Sequence, residues 1–458
     1  MKLLIYKFKS FFKHAFITLA SLSIVSCGGG SSSSPDLVDA PVAPPQTYPS
    51  HPLIWDTATP ESVGMDSSYL DSALNYAFQD GSYTQAVVVI KDGKLISERY
   101  RGISDNEANN LASAFGDSSA FYKSLFGQRD KDSYISSWST AKSFTSFLIG
   151  IAVESGSINS IEDPASEYIS EWSIDDRSSI TIKNLLDMRS GLIPICYNPV
   201  AGNLGECLNV ADSSSGGNIV FADDQLTKCI NRGLAESGVI QPWYSDTVIY
   251  NRGDFKYSNC DTQILGEIIF RATGQDIQTY ADYNLFSKIG ITAAWWRDYA
   301  NNGQSNGNYL AYCCLDSTAR DFAKFGHMLL LGGLWEGSNL KYSSYVELIK
   351  NLDSYGLQFW TICARPQSQS ECEESIVSTI GFDGQYIMID FDRNIILVRS
   401  SLYVPIQNLS QDRKMKLDPA DLSQSNWVAT APNALGVSTF NSNINISTLY
   451  GLILNSVN

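Results

Sequence analysis

Histidine is scarce in this chain of 458 residues, which contains only His14, His51 and His327. So few imidazoles come close to excluding a metal site built on histidine ligands. They nearly exclude a Ser-His-Asp catalytic triad as well. Any nucleophilic catalysis in this protein must therefore rely on a different base.

Positive charge is also in short supply, because 32 lysines and arginines face 48 aspartates and glutamates, for a formal net charge of -16. An acidic chain is a poor ligand for polyanions, so no nucleic-acid partner is expected. Hydrophobic residues make up 44% of the sequence and charged residues 17%, which excludes a disordered or fibrous chain. The length predicts one large or two modest globular domains.

The apolar run near the amino terminus, from Ala15 to Val25, is too short to span a bilayer. It follows four lysines and leads into Ile24-Val25-Ser26-Cys27, which resembles the lipobox of bacterial lipoproteins. We therefore expect a signal peptide over 1–27, a lipid anchor on Cys27 and a flexible tether over 28–55. The alternative is an ordinary signal peptide cut nearby. Either one predicts export to the periplasm or cell envelope.

Apart from the lipobox cysteine, the chain has eight cysteines and no Cys-x-x-Cys pair. An even number of cysteines in an exported chain favours disulfides over metal ligation. The shortest loops would be closed by Cys196 with Cys207 and by Cys363 with Cys372. The adjacent Cys313-Cys314 are expected to pair with other partners rather than with each other. Eight thiols allow 105 connectivities, so the pairing stays open.

The order of secondary-structure signals along the chain predicts an α+β fold. A helix over 66–78 comes first, then a hairpin of strands at 85–90 and 94–100 around Asp92-Gly93, then a polar loop over 101–137 with a short helix near 120–125. Further helices are predicted at 140–155, 181–188, 260–273, 276–287, 317–331 and 447–457, and further strands at 355–362, 377–381, 385–390 and 394–400. We expect one antiparallel sheet, assembled from 56–137 and 345–458 and flanked by helices, with a mainly helical region inserted at 138–344.

The sequence Ser139-Thr140-Ala141-Lys142 opens an apolar helix and carries the clearest catalytic signal. A serine and a lysine three positions apart share one face of a helix. Lysine is ordinarily protonated at neutral pH, but burial and the positive end of a helix both favour its neutral form. In that form Lys142 would accept the Ser139 proton, while the helix start would offer a backbone N–H to a developing oxyanion.

Taken alone, the Ser-x-x-Lys motif is weak, since it also begins at Ser10 and Ser338. Ser10 lies in the expected signal peptide. Ser338 lies in a polar segment that is typical of a surface loop. Ser139 differs because it opens an otherwise apolar helix, which would place a nucleophile at the edge of a core.

Four stretches in order make the chain resemble the serine β-lactamase and penicillin-binding superfamily over about residues 56–402. They are SWSTAKSFTSFLIGIAVESGSI at 137–158, LLDMRSGL at 185–192, FKYSNCDTQILGEII at 255–269 and DSTARDFAKFGHMLLLGG at 316–333. Within the superfamily, the chain looks closest to class C-like, family VIII-type esterases and to the 6-aminohexanoate-dimer (nylon oligomer) hydrolases. The resemblance implies a β-lactamase/transpeptidase-like fold and a serine hydrolase that needs no metal or cofactor.

The resemblance also assigns roles to particular residues. Ser139 matches the acylated nucleophile and Lys142 its partner base. Tyr257-Ser258-Asn259 matches the Tyr-x-Asn element, in which Tyr257 would carry the proton to the leaving group. Asn259 would orient Lys142 or hold a substrate amide, and a buried asparagine that caps a helix is the alternative. Whether Lys142 or the phenolate of Tyr257 is the working base stays open, because the two would titrate as a unit.

The third element of the family is where this chain departs from the pattern. The Lys-Thr-Gly or His-x-Gly strand motif has its best match in Gly381-Phe382-Asp383-Gly384-Gln385, with Phe382 in place of the basic residue. If this strand lies beside Ser139, the N–H of Gln385 would complete the oxyanion hole. The missing cation weakens the case for binding the carboxylate of a β-lactam or a D-Ala-D-Ala peptide, which favours an esterase or amidase.

Other aromatic residues carry weaker signals. Tyr197 follows LLDMRSGL, where a tyrosine of the nylon-oligomer hydrolases closes over the substrate amide, and its neighbour Cys196 would pin that loop in a disulfide. Trp295 and Trp296 are interpreted as core packing rather than as walls of an acyl pocket. Tyr299-Ala300-Asn301, a second Tyr-x-Asn, has no helical pattern after it and is interpreted as a loop.

These observations predict an exported serine hydrolase that cleaves a small ester or linear amide through an acyl-enzyme on Ser139. The alternative is a non-catalytic or slow penicillin-binding receptor, a β-lactamase or a D-Ala-D-Ala carboxypeptidase-like protein on the same scaffold. The intact Ser139, Lys142 and Tyr257 argue against a receptor. The sequence leaves the natural substrate and the oligomeric state open.

Overall fold

The computed structural model describes most of the chain beyond its amino-terminal segment. The described residues are 55–115, 117–193, 197–198, 203–204, 219, 222–240, 249–301, 306–335, 343–366, 372–403, 406, 408–415 and 444–457. The predicted signal peptide and almost all of the predicted tether therefore lie outside the described residues. Within those residues, no helix has the length and apolar composition that a membrane crossing requires.

The strands of the described residues are labelled β1 to β13 in chain order. They are β1 (Thr84–Lys91), β2 (Lys94–Tyr100), β3 (Tyr134–Ser136), β4 (Tyr197–Asn198), β5 (Asn203–Leu204), β6 (Val239–Ile240), β7 (Ile249–Tyr250), β8 (Ala294–Trp295), β9 (Leu315–Thr318), β10 (Trp360–Pro366), β11 (Cys372–Gly381), β12 (Gln385–Asp390) and β13 (Ile395–Ser401).

The α-helices are labelled in the same way. They are α1 (Ser67–Ala77), α2 (Asp105–Phe115), α3 (Ser119–Leu125), α4 (Ala141–Glu154), α5 (Ile182–Leu186), α6 (Gln225–Ile230), α7 (Asn259–Thr273), α8 (Ile277–Ala281), α9 (Ser287–Ile289), α10 (Ala319–Leu330), α11 (Ser343–Lys350) and α12 (Ile446–Leu454). Short 3-10 turns cover Pro60–Val63, Trp138–Thr140, Ala165–Glu167, Ser170–Trp172 and Asp176–Ser179, and a π-helical turn covers Asp282–Phe286.

Six strands form the central antiparallel sheet, in the order β10-β11-β12-β13-β1-β2. Val88 of β1 lies opposite Val398 of β13, so the first part of the chain completes a sheet that the last part builds. The predicted Asp92-Gly93 turn links β1 to β2, and both of its residues have positive φ, as a tight hairpin requires. The predicted α+β architecture, with one sheet drawn from both ends of the chain, is confirmed.

Helices cover both faces of the central sheet. Because successive side chains of a strand point to opposite faces, each strand contributes to the cores on both sides. One face packs against α4 and α10 in a core that includes Val88, Ile387 and Phe144. The opposite face packs against α1 and α12 and includes Val87 and Leu397. The region between β3 and β10 is mainly helical, as predicted, and adds the small sheets β3-β9-β8, β4-β5 and β6-β7.

The segment 101–137, predicted as a loop with one short helix, contains two helices, α2 and α3. Asparagines at 106, 109 and 110 interrupt the apolar pattern of α2 and conceal it in the sequence. Ala108 and Leu111, three positions apart, are nevertheless fully buried in a small core with Tyr83 and Phe126. Tertiary packing therefore stabilises a helix that the local sequence disfavours.

Two predicted elements have different bounds in the structure. The strand expected over 355–362 begins only at Trp360, because Leu357 and Gln358 have positive φ and form a tight turn. The N–H of Gln358 donates to the carbonyl of Leu186 at 2.9 Å, which anchors this turn to α5. The helix expected over 276–287 is divided into α8, the π-helical turn and α9.

Three cysteine pairs lie in the described residues. They are Cys229–Cys260, Cys313–Cys314 and Cys363–Cys372. Cys363–Cys372, one of the two short loops that the sequence favoured while the pairing stayed open, joins β10 to β11 at one edge of the central sheet. The other predicted short loop, Cys196 with Cys207, lies outside the described residues.

The expectation that Cys313 and Cys314 take different partners is wrong, since the two adjacent residues form a disulfide with each other. Both side chains are buried. The other described cysteines are already paired as Cys229–Cys260 and Cys363–Cys372, so none of them is left to pair with Cys313 or Cys314.

Candidate active site

Ser139 lies on the 3-10 turn Trp138–Thr140, which leads directly into α4. Trp138 has a φ of 48°, a conformation that is costly for a residue other than glycine, so its surroundings must hold the turn in place. The N–H of Ser137 donates to the carbonyl of Leu315 at 2.9 Å, and the N–H of Leu315 donates to Ser137 Oγ at 3.0 Å. Ser139 itself is half-buried.

Lys142 is the buried amine beside that hydroxyl. Its Nζ lies 3.1 Å from Ser139 Oγ and donates to Asn259 Oδ1 and to the carbonyl oxygen of Tyr312, each at 2.8 Å. Burial lowers the pKa of Lys142 well below the ordinary lysine value, because α4 carries the side chain into a segment that is buried from Ala141 to Ala152. The neutral amine is the form that can accept a proton.

Tyr257 approaches both of these residues from the segment that precedes α7. Its hydroxyl lies near enough to the Ser139 side chain for the two to interact, and the centre of its ring lies 5.0 Å from Lys142 Nζ. Tyr257 as a whole is half-buried. Burial raises the pKa of Tyr257 to about 12, and the hydrogen bond to Ser139 acts in the opposite direction. At neutral pH Tyr257 is therefore a phenol that can donate a proton.

Asn259 is the first residue of α7, and this helix start brings its side chain to Lys142. The helix cap is its neighbour Ser258, whose Oγ accepts a hydrogen bond from the N–H of Asp261 at 3.3 Å. Asn259 is thus left to accept from Lys142 Nζ, whereas capping falls to Ser258.

The end of β11, at Gly381, approaches the turn Trp138–Thr140 that carries Ser139. A Cβ at this position would lie 2.2 Å from the carbonyl oxygen of Ser137, so the close approach requires glycine. The ring of Phe382, the next residue, packs edge-on against Trp138 with the ring centres 5.7 Å apart. Phe382 therefore adds an apolar ring beside the turn that carries Ser139.

Gln385, the predicted second oxyanion donor, begins β12 and lies opposite Gly381 in the hairpin. Its carbonyl accepts a hydrogen bond from Thr140 Oγ1 at 3.1 Å, which places its backbone beside the residue after Ser139. Its side-chain amide donates to the carbonyl of Ser401 and so points away from the nucleophile. The role of its N–H stays a prediction.

The structure thus brings Ser139, Lys142, Tyr257 and Asn259 into one cluster. Of Tyr197 only the backbone is described, as part of β4, so the prediction for its side chain lies outside the described residues. Within the described ranges, no three His, Cys, Asp or Glu side chains cluster as ligands for a metal ion.

The sequence profile of the Beta-lactamase family matches residues 77–401, a range that contains this whole cluster. The chain belongs to the Beta-lactamase family. A relative, the 6-aminohexanoate-dimer hydrolase of Paenarthrobacter ureafaciens, is 23% identical over 307 residues, which are 61% of this chain and 68% of the relative.

A solved structure from Bacillus anthracis, described as a proposed 6-aminohexanoate-dimer hydrolase, has the same fold. It superposes with a TM-score of 0.51 at 22% identity and covers 78% of this chain and 84% of its own. These comparisons confirm the superfamily and the fold that the sequence predicted. They identify the chain as a Beta-lactamase-family hydrolase related to 6-aminohexanoate-dimer hydrolase at low identity.

Three residues of this Beta-lactamase-family site escaped the sequence analysis. The carbonyl of Tyr312 accepts from Lys142, and its hydroxyl donates to Gln225 Oε1 at 2.7 Å. Tyr355 and Trp360 pack against Tyr257, with ring centres 6.1 and 5.8 Å away. The only signal that could have indicated the last two is the density of aromatic residues around the start of β10.

Proposed function

We propose that this Beta-lactamase-family protein is a serine hydrolase that cleaves a small ester or linear amide through an acyl-enzyme on Ser139. The observation that carries the proposal is the 3.1 Å contact between Ser139 Oγ and the fully buried amine of Lys142. A buried, neutral lysine can take the place of the imidazole base that this histidine-poor chain lacks.

In the proposed reaction, neutral Lys142 takes the proton of Ser139 Oγ as this oxygen bonds to the carbonyl carbon of the substrate. When the intermediate collapses, the proton passes through the phenol of Tyr257 to the departing alcohol or amine. Water then attacks the acyl-enzyme by the same proton route, which releases the acid and restores the serine hydroxyl. Asn259 keeps the lysine amine directed at the nucleophile.

Backbone N–H groups stabilise the oxyanion in this proposal. One belongs to Ser139, at the amino-terminal end of the turn that opens α4. The second comes from the segment Gly381 to Gln385, whose approach to the turn is supported by the contacts of Gly381 with Ser137 and of Gln385 with Thr140.

The substrate class follows from the third motif and from the relatives. Phe382 stands where the superfamily has a basic residue, so a substrate carboxylate has no cation from this motif, and esters or linear amides with an apolar acyl part are favoured. The names of the Paenarthrobacter and Bacillus relatives describe hydrolysis of a linear amide dimer, which supports an amide as one substrate.

Reaction with a fluorophosphonate tests the nucleophile directly. The intact protein should gain the mass of one phosphonyl adduct and should hydrolyse a p-nitrophenyl ester. In Ser139→Ala the adduct should be absent, and kcat should fall by at least about 10⁴-fold. Ser338→Ala, which removes the serine of another Ser-x-x-Lys, should react like the original protein.

A separate incubation with a penicillin distinguishes the hydrolase from a receptor on the same scaffold. A long-lived penicilloyl adduct without ester turnover would replace the proposal with a slow penicillin-binding protein. If neither reagent modifies the folded protein, the proposal of a serine hydrolase is excluded.

A further inference from the structure

The backbone of the segment Tyr312 to Leu315 contacts both the proposed base and the turn that carries Ser139. The carbonyl of Tyr312 accepts from Lys142 Nζ at 2.8 Å. The N–H of Cys314 donates to the carbonyl of Trp138 at 3.3 Å, and Leu315 bonds to Ser137 in both directions. Three of these four residues therefore hold both the proposed base and the turn that carries the proposed nucleophile.

The Cys313–Cys314 disulfide lies in the middle of this segment. A bond between adjacent cysteines closes a small ring that contains their shared peptide unit, and this restricts the backbone of both residues. Cys314 has a φ of 65°, which a free non-glycine residue rarely adopts. Its carbonyl also accepts from the N–H of Trp296 at 3.0 Å, so the segment is fixed to the core behind the site.

The inference rests on the proposed function, since it concerns the same serine and lysine. We infer that the Cys313–Cys314 disulfide is a positioning element of the active site, which keeps the Tyr312 carbonyl on Lys142 and the Cys314 N–H on the nucleophile turn. Neither sulfur touches the substrate in this account. The disulfide acts through the backbone that it constrains.

Opening the disulfide should release this backbone. Cys314 can then leave the left-handed conformation, the Trp138 carbonyl loses its donor, and Lys142 loses its backbone acceptor. Misplacement of a nucleophile by about 1 Å can slow its reaction about 100-fold. Water that reaches Lys142 also stabilises its ammonium form, so a smaller fraction of the lysine is the free amine at neutral pH.

The first experiment compares the double variant Cys313→Ser/Cys314→Ser with the original protein. The rate of fluorophosphonate labelling and kcat for a p-nitrophenyl ester should each fall about 10-fold or more, while KM changes little. The acid limb of the pH profile of kcat/KM should move to higher pH. A variant that had only lost stability would show a lower melting temperature with an unmoved acid limb.

The matched control is Cys363→Ser/Cys372→Ser, which removes a disulfide of the same chain at the edge of the central sheet. This variant should keep the labelling rate and the acid limb of the original protein. It therefore separates the loss of one particular disulfide from the loss of any disulfide.

A second experiment uses the folded original protein, so that it does not depend on how well the variant folds. A dithiol reduces a disulfide by two electrons and two protons and is itself oxidised to a cyclic disulfide, and alkylation with N-ethylmaleimide then marks each new thiol for peptide mass spectrometry. Loss of labelling should follow the appearance of modified Cys313 and Cys314. Cys229→Ser/Cys260→Ser, which removes the disulfide next to Asn259, should remain sensitive to the dithiol.

Two results would overturn the inference. One is full labelling of Ser139 in protein whose Cys313 and Cys314 are both alkylated. The other is loss of sensitivity to the dithiol in Cys229→Ser/Cys260→Ser. If the oxidised original protein is not labelled at Ser139 at all, the proposed function has failed instead, so the two failures are distinguishable.

Discussion

Lys142 and Tyr257 owe their proposed roles to one physical cause that shifts their pKa values in opposite directions. Burial penalises the charged form of each group, so it lowers the pKa of the amine and raises that of the phenol to about 12. Burial thus favours the uncharged amine as a proton acceptor and the uncharged phenol as a proton donor. Activity should therefore rise with pH as Lys142 loses its proton, and the ionisation of Tyr257 should lie far above the working range.

Asn259→Asp tests whether Lys142 is the group whose loss of a proton raises the activity. The new carboxylate would occupy the position of an oxygen that now lies 2.8 Å from Lys142 Nζ and would stabilise the ammonium form of the lysine. The acid limb of kcat/KM should shift to higher pH, and the value at neutral pH should fall about 10-fold, whereas the plateau at high pH should be retained. Initial rates of ester hydrolysis across the pH range provide the measurement.

The matched control for this substitution is Asn351→Asp, which adds the same charge at an exposed asparagine. Its pH profile should coincide with that of the original protein, because an exposed charge far from the site is screened by water and salt. If Asn259→Asp keeps the original acid limb as well, Lys142 is not the group that titrates.

The residues of this site differ in how far the sequence could predict them. Ser139, Lys142, Tyr257 and Asn259 belong to short motifs, because side-chain chemistry requires those residue types at fixed spacing. Tyr312 contributes a carbonyl oxygen, which every residue possesses, so no residue type marks its role in the sequence.

At the level of elements, the turn Trp138–Thr140, which carries the proposed nucleophile, is held between two strands that are distant in sequence. β9 bonds to Ser137 from one side, and the end of β11 packs against the same residue at Gly381. The left-handed conformation of Trp138 persists because both neighbours fix it. Ser139 is therefore positioned by tertiary contacts as well as by α4.

Gly381→Ala should separate the end of β11 from the nucleophile turn. The added Cβ would lie 2.2 Å from the carbonyl oxygen of Ser137. The backbone of one of the two segments would have to move to relieve this overlap. We expect kcat to fall about 100-fold as the turn and the oxyanion donors move apart, with circular dichroism close to that of the original protein.

Gly233→Ala is the control for that substitution. A Cβ at 233 meets only the side chain of Ile193, at 3.9 Å, which is an ordinary contact. This variant should retain the original kcat. Equal activity of the two variants would mean that β11 does not position the proposed oxyanion hole.

The elements that the sequence predicted best are those whose local pattern and tertiary role agree. α1 begins after its cap Asp66, where the predicted helix over 66–78 starts, and the hairpin of β1 and β2 turns at Asp92-Gly93. α2 and the turn at Gln358 were not predicted, because a small core stabilises an asparagine-rich helix and buried hydrogen bonds stabilise a left-handed turn. Such contacts join residues that are far apart in sequence, which no local pattern reveals.

For the whole molecule, the disulfides connect the fold to a cellular location. Cys229–Cys260 joins α6 to α7, Cys313–Cys314 lies behind the nucleophile, and Cys363–Cys372 joins two strands. Disulfides persist in oxidising compartments and are rare in the cytosol. We propose that the protein is exported and held on the membrane by a lipid on Cys27, which the disulfides and the lipobox-like sequence at 24–27 support.

Cys27→Ser, tested in a bacterial host, separates anchoring from export. The original protein should sediment with the membranes and enter the detergent phase, whereas the variant should lose the lipid and become soluble. Its disulfides should still form, because the apolar run from Ala15 to Val25 still directs export.

Leu19→Arg, which interrupts that run, should instead keep the chain in the cytosol with thiols that react with N-ethylmaleimide. If the original protein is soluble and its disulfides are formed, the anchor is excluded and export is retained. If its cysteines are reduced, both the anchor and export are excluded.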